Sequence, residues 1–185
     1  MTDGLDSRVL LEPTDGSLGP LLRLTEDRLQ PGAGYGTHTH ADVDVVAVLL
    51  SGSVAHSWGD RLTLRAGDVG VLRAGSGLDH DEVAGADGAQ LLQTHLRAAV
   101  PGAPPHHHAV RWSAARPHGW VDLGRPDAAL WLARLVPGEQ VDPPPGLRVL
   151  ATAEGVRVVP VGGPVTGPAV VAVWQLETAR PAWAE

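Results

Sequence analysis

At 185 residues, with 43% hydrophobic and 19% charged side chains, the chain has the composition of a globular protein with a sizeable buried core, not of a disordered one. It has no cysteine, which excludes disulfides, thiolate metal sites and Cys nucleophiles together. Its net charge of −7, with the basic residues scattered singly, gives no footing for binding a phosphate backbone.

The opening segment, Met1–Thr14, is acidic and has no basic start followed by an apolar run, so no signal peptide is expected. No stretch approaches the roughly 18 apolar residues of a membrane-spanning helix, and the expected location is the cytoplasm. Aromatic residues are scarce: six Trp, one Tyr (Tyr35) and no Phe. The core is therefore expected to consist mostly of Val, Leu and Ala.

From there the chain reads as short β-rich runs punctuated by Gly and Pro. Gly32–Asp44 carries His38-Thr39-His40. Asp44–Leu50 is a strand ending at a Ser51-Gly52 turn, and Val54–Trp58 runs to a turn at Gly59-Asp60. Leu62–Leu64, Val69–Leu72, His80–Val83 and Gln90–Arg97 follow, separated by turns at Ala66–Asp68, Ala74–Gly77 and Gly85–Gly88. Strands spaced at about 8–12 residues with turn signals between them define an antiparallel sandwich or barrel. No window carries a sustained helical period.

The Pro- and Gly-rich stretch 99–126 interrupts this rhythm and reads as a linker. Beyond it, Ala128–Val136, Leu147–Ala151, Val156–Val161 and Ala169–Leu176 again read as strands. The expected organisation is a first domain over 1–98, a linker over 99–126 and a reduced β domain over 127–185.

The chemistry concentrates in two short pieces. Residues two apart on a strand share a face, so His38 and His40 present paired imidazoles, and His80 and Glu82 present an imidazole beside a carboxylate. If both strands line one barrel, three imidazoles and one carboxylate converge. This donor set leaves positions open on a divalent metal, as a catalytic site requires. Fe(II), Ni(II), Zn(II), Cu(II) and Mn(II) all suit it. Asp44 has the parity of His38 and His40 and is expected to face the same cavity, as a general base, a hydrogen-bond partner for substrate, or a polar wall residue.

Other candidates are weaker. His106-His107-His108 lies in the Pro-rich stretch, and consecutive residues on an extended chain point to opposite sides. His56 is read as a packing residue, and His95 and His118 have no recognisable partners. The glycines at 32, 34 and 36 precede a strand and so do not form a dinucleotide loop.

The order G-A-G-Y-G-T-H-T-H-A-D-V-D, then S-G-S-V-A-H-S, then R-A-G-D-V-G-V-L-R-A-G-S-G-L-D-H-D-E resembles the amino-terminal domain of pirin-like proteins of the cupin superfamily, over about Leu29 to Leu96. The resemblance implies an all-β, cupin-type antiparallel barrel of jelly-roll character. A second, reduced β unit would follow, as in a truncated bicupin. It also implies one metal held by His38, His40, His80 and Glu82, with iron favoured. Two function classes follow from it. One is a quercetin 2,3-dioxygenase-like oxygenase acting on a flavonol or related small molecule, with Glu82 or Asp44 accepting the hydroxyl proton inside a largely apolar pocket. The other is a non-enzymatic, metal-dependent regulator of a partner protein. The chain departs from the family pattern at Asp44 (Glu there), at Thr39 (often Pro) and in a shorter loop at Ser57–Arg61. Its second unit has no comparable ligand pair.

Overall fold

The computed structural model describes residues 4–59, 61–112 and 117–178. Every regular element among them is a strand, as short Val- and Leu-rich runs cut by Gly and Pro demand. The chain divides into two compact units. One comprises the segment ending at Glu12 together with Leu21–Trp112; the other comprises Pro13–Pro20 and the chain beyond Trp112.

The first unit contains β1 (Leu5–Leu11), β2 (Leu21–Leu29), β3 (His38–His40), β4 (Val43–His56), β5 (Thr63–Arg65), β6 (Val69–Arg73), β7 (Leu78–His80), β8 (Glu82–Arg97) and β9 (His106–Val110). Its main sheet runs in the order β1-β2-β8-β4-β6-β9, with β5 also on β4, while β3 and β7 form a separate ladder. All pairings are antiparallel, and hydrogen bonding leaves the main sheet open at its two ends. One face of this sheet carries the unit's core. Ala47, Leu49, Val54, Leu64, Ala84 and Leu91 form one apolar cluster, and Val45, Leu72, Ala74 and Leu78 form another. Burying each Leu of this set fully contributes about 1.5–3 kcal/mol.

Two features of β4 decide which side chains reach that face. Its pairing with β8 shifts register between Leu49 and Ser51 and again between Gly52 and Val54. These bulges replace the Ser51-Gly52 turn expected from sequence, so the chain continues as one fourteen-residue strand. Val45, Ala47 and Leu49 point inward before the bulges, and Val54 points inward after them. Gly52 makes this possible. Its φ is +71°, and a Cβ there would lie 2.0 Å from the Gly88 carbonyl oxygen, a position only glycine fills without strain.

Part of the stretch read as a linker is strand. His106–Val110 pairs with β6 and completes the edge of the main sheet. The prolines of this region precede the strand instead of interrupting it, so their lost N–H donors do not weaken the ladder.

The second unit contains β10 (His118–Val121), β11 (Ala128–Leu135), β12 (Gln140–Val141), β13 (Leu147–Thr152), β14 (Gly155–Val159), β15 (Val165–Thr166) and β16 (Ala169–Leu176). The order β10-β11-β16-β13-β14 makes its sheet, and β12 pairs with β15. Trp131, Ala133, Leu135, Val171 and Val173 form its apolar cluster. β10 also lies within the stretch expected to be linker, and it pairs with β11.

Candidate metal centre

His38 and His40 lie on β3 and His80 on β7, paired so that His38 stands opposite His80 and His40 opposite Leu78. Thr39 hydrogen-bonds Asp79 on the other side of this ladder, which leaves the imidazoles on one face. The ring centroids of His38 and His80 are 4.5 Å apart, those of His38 and His40 are 4.7 Å apart, and those of His40 and His80 are 5.2 Å apart. One nitrogen from each ring falls within 4.8 Å of the others.

The protonation of these rings suits a cation. His38 Nδ1 lies 2.8 Å from the Gly36 carbonyl oxygen. Because a carbonyl only accepts, Nδ1 carries the hydrogen and Nε2 the lone pair. That Nε2 sits 3.0 Å from His40 Nε2. Both ring nitrogens of His80 are buried without a hydrogen-bond partner, a costly state unless another ligand takes them. Burial pushes the His80 imidazole down to about 4, with repulsion from His38, His40 and His56 adding to it against the pull of Glu82. Burial and His38 also lower His40. The neutral, metal-ready form of His80 is therefore held into the acid range, and that of His40 is favoured in the same direction.

Glu82 begins β8, in register with His56 on β4, and only 2% of it is exposed. Its two oxygens already have partners: His56 Nε2 lies 2.8 Å from Oε1, and Gln93 Nε2 donates to Oε2 at 2.9 Å. Burial alone would raise its carboxyl. His56, together with the charges of His80 and His38, outweighs that effect and leaves the carboxyl below its ordinary value. Glu82 stands outside the three-histidine group, held beside it as an ionised carboxylate.

Asp44 does not join the cluster. Asp44 does not keep the parity of His38 and His40, because β3 and β4 are not one strand. Asp42 between them adopts a left-handed φ of +52°. It is fixed there by its N–H to the Gly75 carbonyl oxygen and by Gly102 N–H donating to its carboxylate, a conformation that Asp tolerates better than most residues. The turn resets the alternation. Asp44 is buried but lies on the face of β4 opposite Val45, Ala47 and Leu49, cross-strand from Arg73 and Leu96.

Several polar residues missed by the sequence reading do face the site. His95 pairs across strands with inward-facing Val45, and its ring centroid is 5.6 Å from that of His40. Gln93 pairs with inward-facing Ala47 in the same way. On β2, Arg23, Thr25 and Asp27 pair with His95, Gln93 and Leu91 and occupy the same face. Tyr35 donates to Asp27 at 2.8 Å. Burial raises the Asp27 carboxyl, with Glu82 repelling, against hydrogen bonds from Ser7, Tyr35 and Thr25. His107 also turns inward, 5.2 Å from the Trp58 ring and 6.3 Å from His56, while His106 and His108 stack on each other. The pocket expected to be largely apolar is thus lined on its β2–β8 side by polar groups. The signal was a period of two in polar side chains at 23, 25 and 27 and at 93 and 95, masked by Glu26 and Arg28 on β2 and by Thr94 on β8.

The arrangement of strands and histidines is that of a cupin, an all-β fold carrying a three-imidazole centre. Residues 11–96, just under half of the chain, match the pirin family model, and over that segment the chain is similar to pirin-like proteins. Among its relatives, a quercetin 2,3-dioxygenase from Escherichia coli strain K12 is 27% identical over 109 residues, 57% of this chain and 47% of the relative. A pirin-like protein from Caulobacter vibrioides is 32% identical over 73 residues, 38% of this chain and 32% of the relative. The aligned stretches thus span half or less of these relatives. Solved structures show the same fold over most of the chain. A bacterial pirin from Escherichia coli in complex with nickel(II) superposes with a TM-score of 0.66 at 21% identity, covering 96% of this chain and 86% of that one. A quercetin 2,3-dioxygenase from Acinetobacter baumannii gives 0.66 at 18% identity, covering 98% and 84%.

Proposed function

We propose that the chain holds one divalent transition metal through His38, His40 and His80, with Glu82 as the fourth ligand, and acts as an oxygenase of the quercetin 2,3-dioxygenase type. The observation that carries this reading is the convergence of three imidazoles, one of which has both nitrogens buried and unpartnered. Iron is favoured by the family resemblance, while the donor set equally accepts nickel. Such a metal, when bound, supplies a Lewis acid for the deprotonated hydroxyl of a substrate and a centre for dioxygen chemistry.

The chain's own residues supply the rest. Gly36 fixes the His38 tautomer, and His56 and Gln93 hold the Glu82 carboxylate in one orientation. Glu82 is kept by its neighbours in the ionised form that a proton acceptor requires. The test is elemental analysis of the purified chain beside its His38→Ala/His80→Ala double variant, followed by oxygen uptake with a panel of flavonols. About one equivalent of metal, lost in the double variant, with flavonol-dependent uptake by the wild type supports the reading. Equal metal in both proteins refutes the site. Retained metal without oxygen uptake refutes the oxygenase and leaves a metal-dependent binding role.

A further inference from the structure

The face that carries the histidine cluster also carries a cation, Arg23, with no ion-pair partner among the described residues. Arg23 on β2 and His95 on β8 are a cross-strand pair, so their side chains lie side by side. Arg23 Nε and His95 Nδ1 are both buried, and neither has a hydrogen-bond partner. Among the described residues no carboxylate forms an ion pair with Arg23. The nearby acids are committed elsewhere: Asp27 to Ser7, Thr25 and Tyr35, and Glu82 to His56 and Gln93. The uncompensated charge is felt locally, for the His95 imidazole is lowered to about 4 by burial first and then by His40 and Arg23. The ring of His95 in turn stands 5.6 Å from that of His40. A guanidinium and an imidazole, each with an unused nitrogen, therefore flank the histidine cluster. Leaving such groups without an acceptor is costly, and a planar guanidinium fork matches a carboxylate.

We infer that Arg23, with His95 beside it, binds an anionic group, such as a carboxylate, of a substrate whose oxygen donors reach the His38–His40–His80 centre, so that the site prefers hydroxylated aromatic or similarly compact acids over their uncharged analogues. The inference rests on the proposed metal site and narrows what that site takes. The separation between cluster and guanidinium, one imidazole plus one cross-strand step, suits a molecule with its carboxylate about one aromatic ring away from its metal-binding oxygens.

The test uses the full chain loaded with nickel, which avoids oxidation of the probe, and titrates it calorimetrically with 3,4-dihydroxybenzoate and with its methyl ester. The two probes share the chelating diol and differ in the carboxylate. Wild type should prefer the acid by about ten- to hundredfold, the worth of a charge-assisted hydrogen-bonded pair. Arg23→Gln should erase that preference while leaving the ester's affinity and the metal content unchanged, and Arg23→Lys should keep part of it. Equal affinity for acid and ester in wild type, or a preference surviving in Arg23→Gln, overturns the inference and leaves the metal site standing. Failure of both probes to bind a chain that retains its nickel overturns it as well. A chain that takes up no nickel, or loses none in the His38→Ala/His80→Ala variant, sinks the metal site first and this inference with it.

Discussion

Acid should unfold the metal-free protein through its buried imidazoles, and His80 offers the sharpest measure of this. Its folded value is about 4, against an ordinary imidazole value near 6.5 in the unfolded chain. The native state therefore releases a proton that the unfolded state keeps. Stability is full above the unfolded value and falls as the pH drops from about 6.5 to about 4, below which both states are protonated and no more is lost. Between pH 7 and about pH 4.5 this linkage costs on the order of 2 kcal/mol through His80 alone. His95, held at about 4 for similar reasons, contributes a comparable loss. Urea denaturation in chelator at both pH values, for wild type and His80→Asn, isolates the His80 share, because acid effects common to both proteins cancel. His80→Asn should lose on the order of 2 kcal/mol less than wild type on acidification. Equal losses in the two proteins would refute the picture of a neutral, desolvated His80. Saturating metal should steepen the wild-type loss, since protons compete for the same nitrogens.

Two further outcomes follow from single contacts. Gln93→Leu removes the donor to Glu82 Oε2 and should destabilise the fold by about 1–3 kcal/mol, with a parallel weakening of metal affinity; unchanged midpoints in urea and in metal titration would show that the carboxylate needs no such clamp. Gly52→Ala places a Cβ 2.0 Å from the Gly88 carbonyl oxygen at a φ of +71°. It should cost upward of about 1 kcal/mol, read as a fall in the melting midpoint.

The histidines were legible in the sequence because the HxH spacing and the later His-x-Glu place donors at strand parity. The fold class was legible because short apolar runs between glycines leave little else to form. Asp44 was misplaced for a specific physical reason. Parity holds only within one continuous strand, and the left-handed turn at Asp42 carries no glycine to announce it. His80 and Glu82, read as neighbours on one strand, belong to β7 and β8. The strands Leu5–Leu11 and Leu21–Leu29 were not anticipated, since their alternation is obscured by charge on both faces. With β2 went Arg23 and Asp27, which become visible as site residues only once β2 is paired with β8.

The bulges in β4 give the strand a property that substitution experiments do not probe. A β-strand transmits orientation as a binary quantity, and the one-residue shift against β8 at Leu50 inverts the sign of everything downstream on β4. Without that inversion His56 would share the side of Asp44, Val46 and Val48; with it, His56 arrives against the Glu82 carboxylate. Loss of a single codon at Leu50 would thus act as a half-turn of the strand's far end, moving His56 away from Glu82 and swinging its neighbour Ala55 inward. Insertions and deletions in this short stretch are therefore far more disruptive than replacements, and relatives of this chain that keep a His here should also keep the residue count between it and the inward-facing valines.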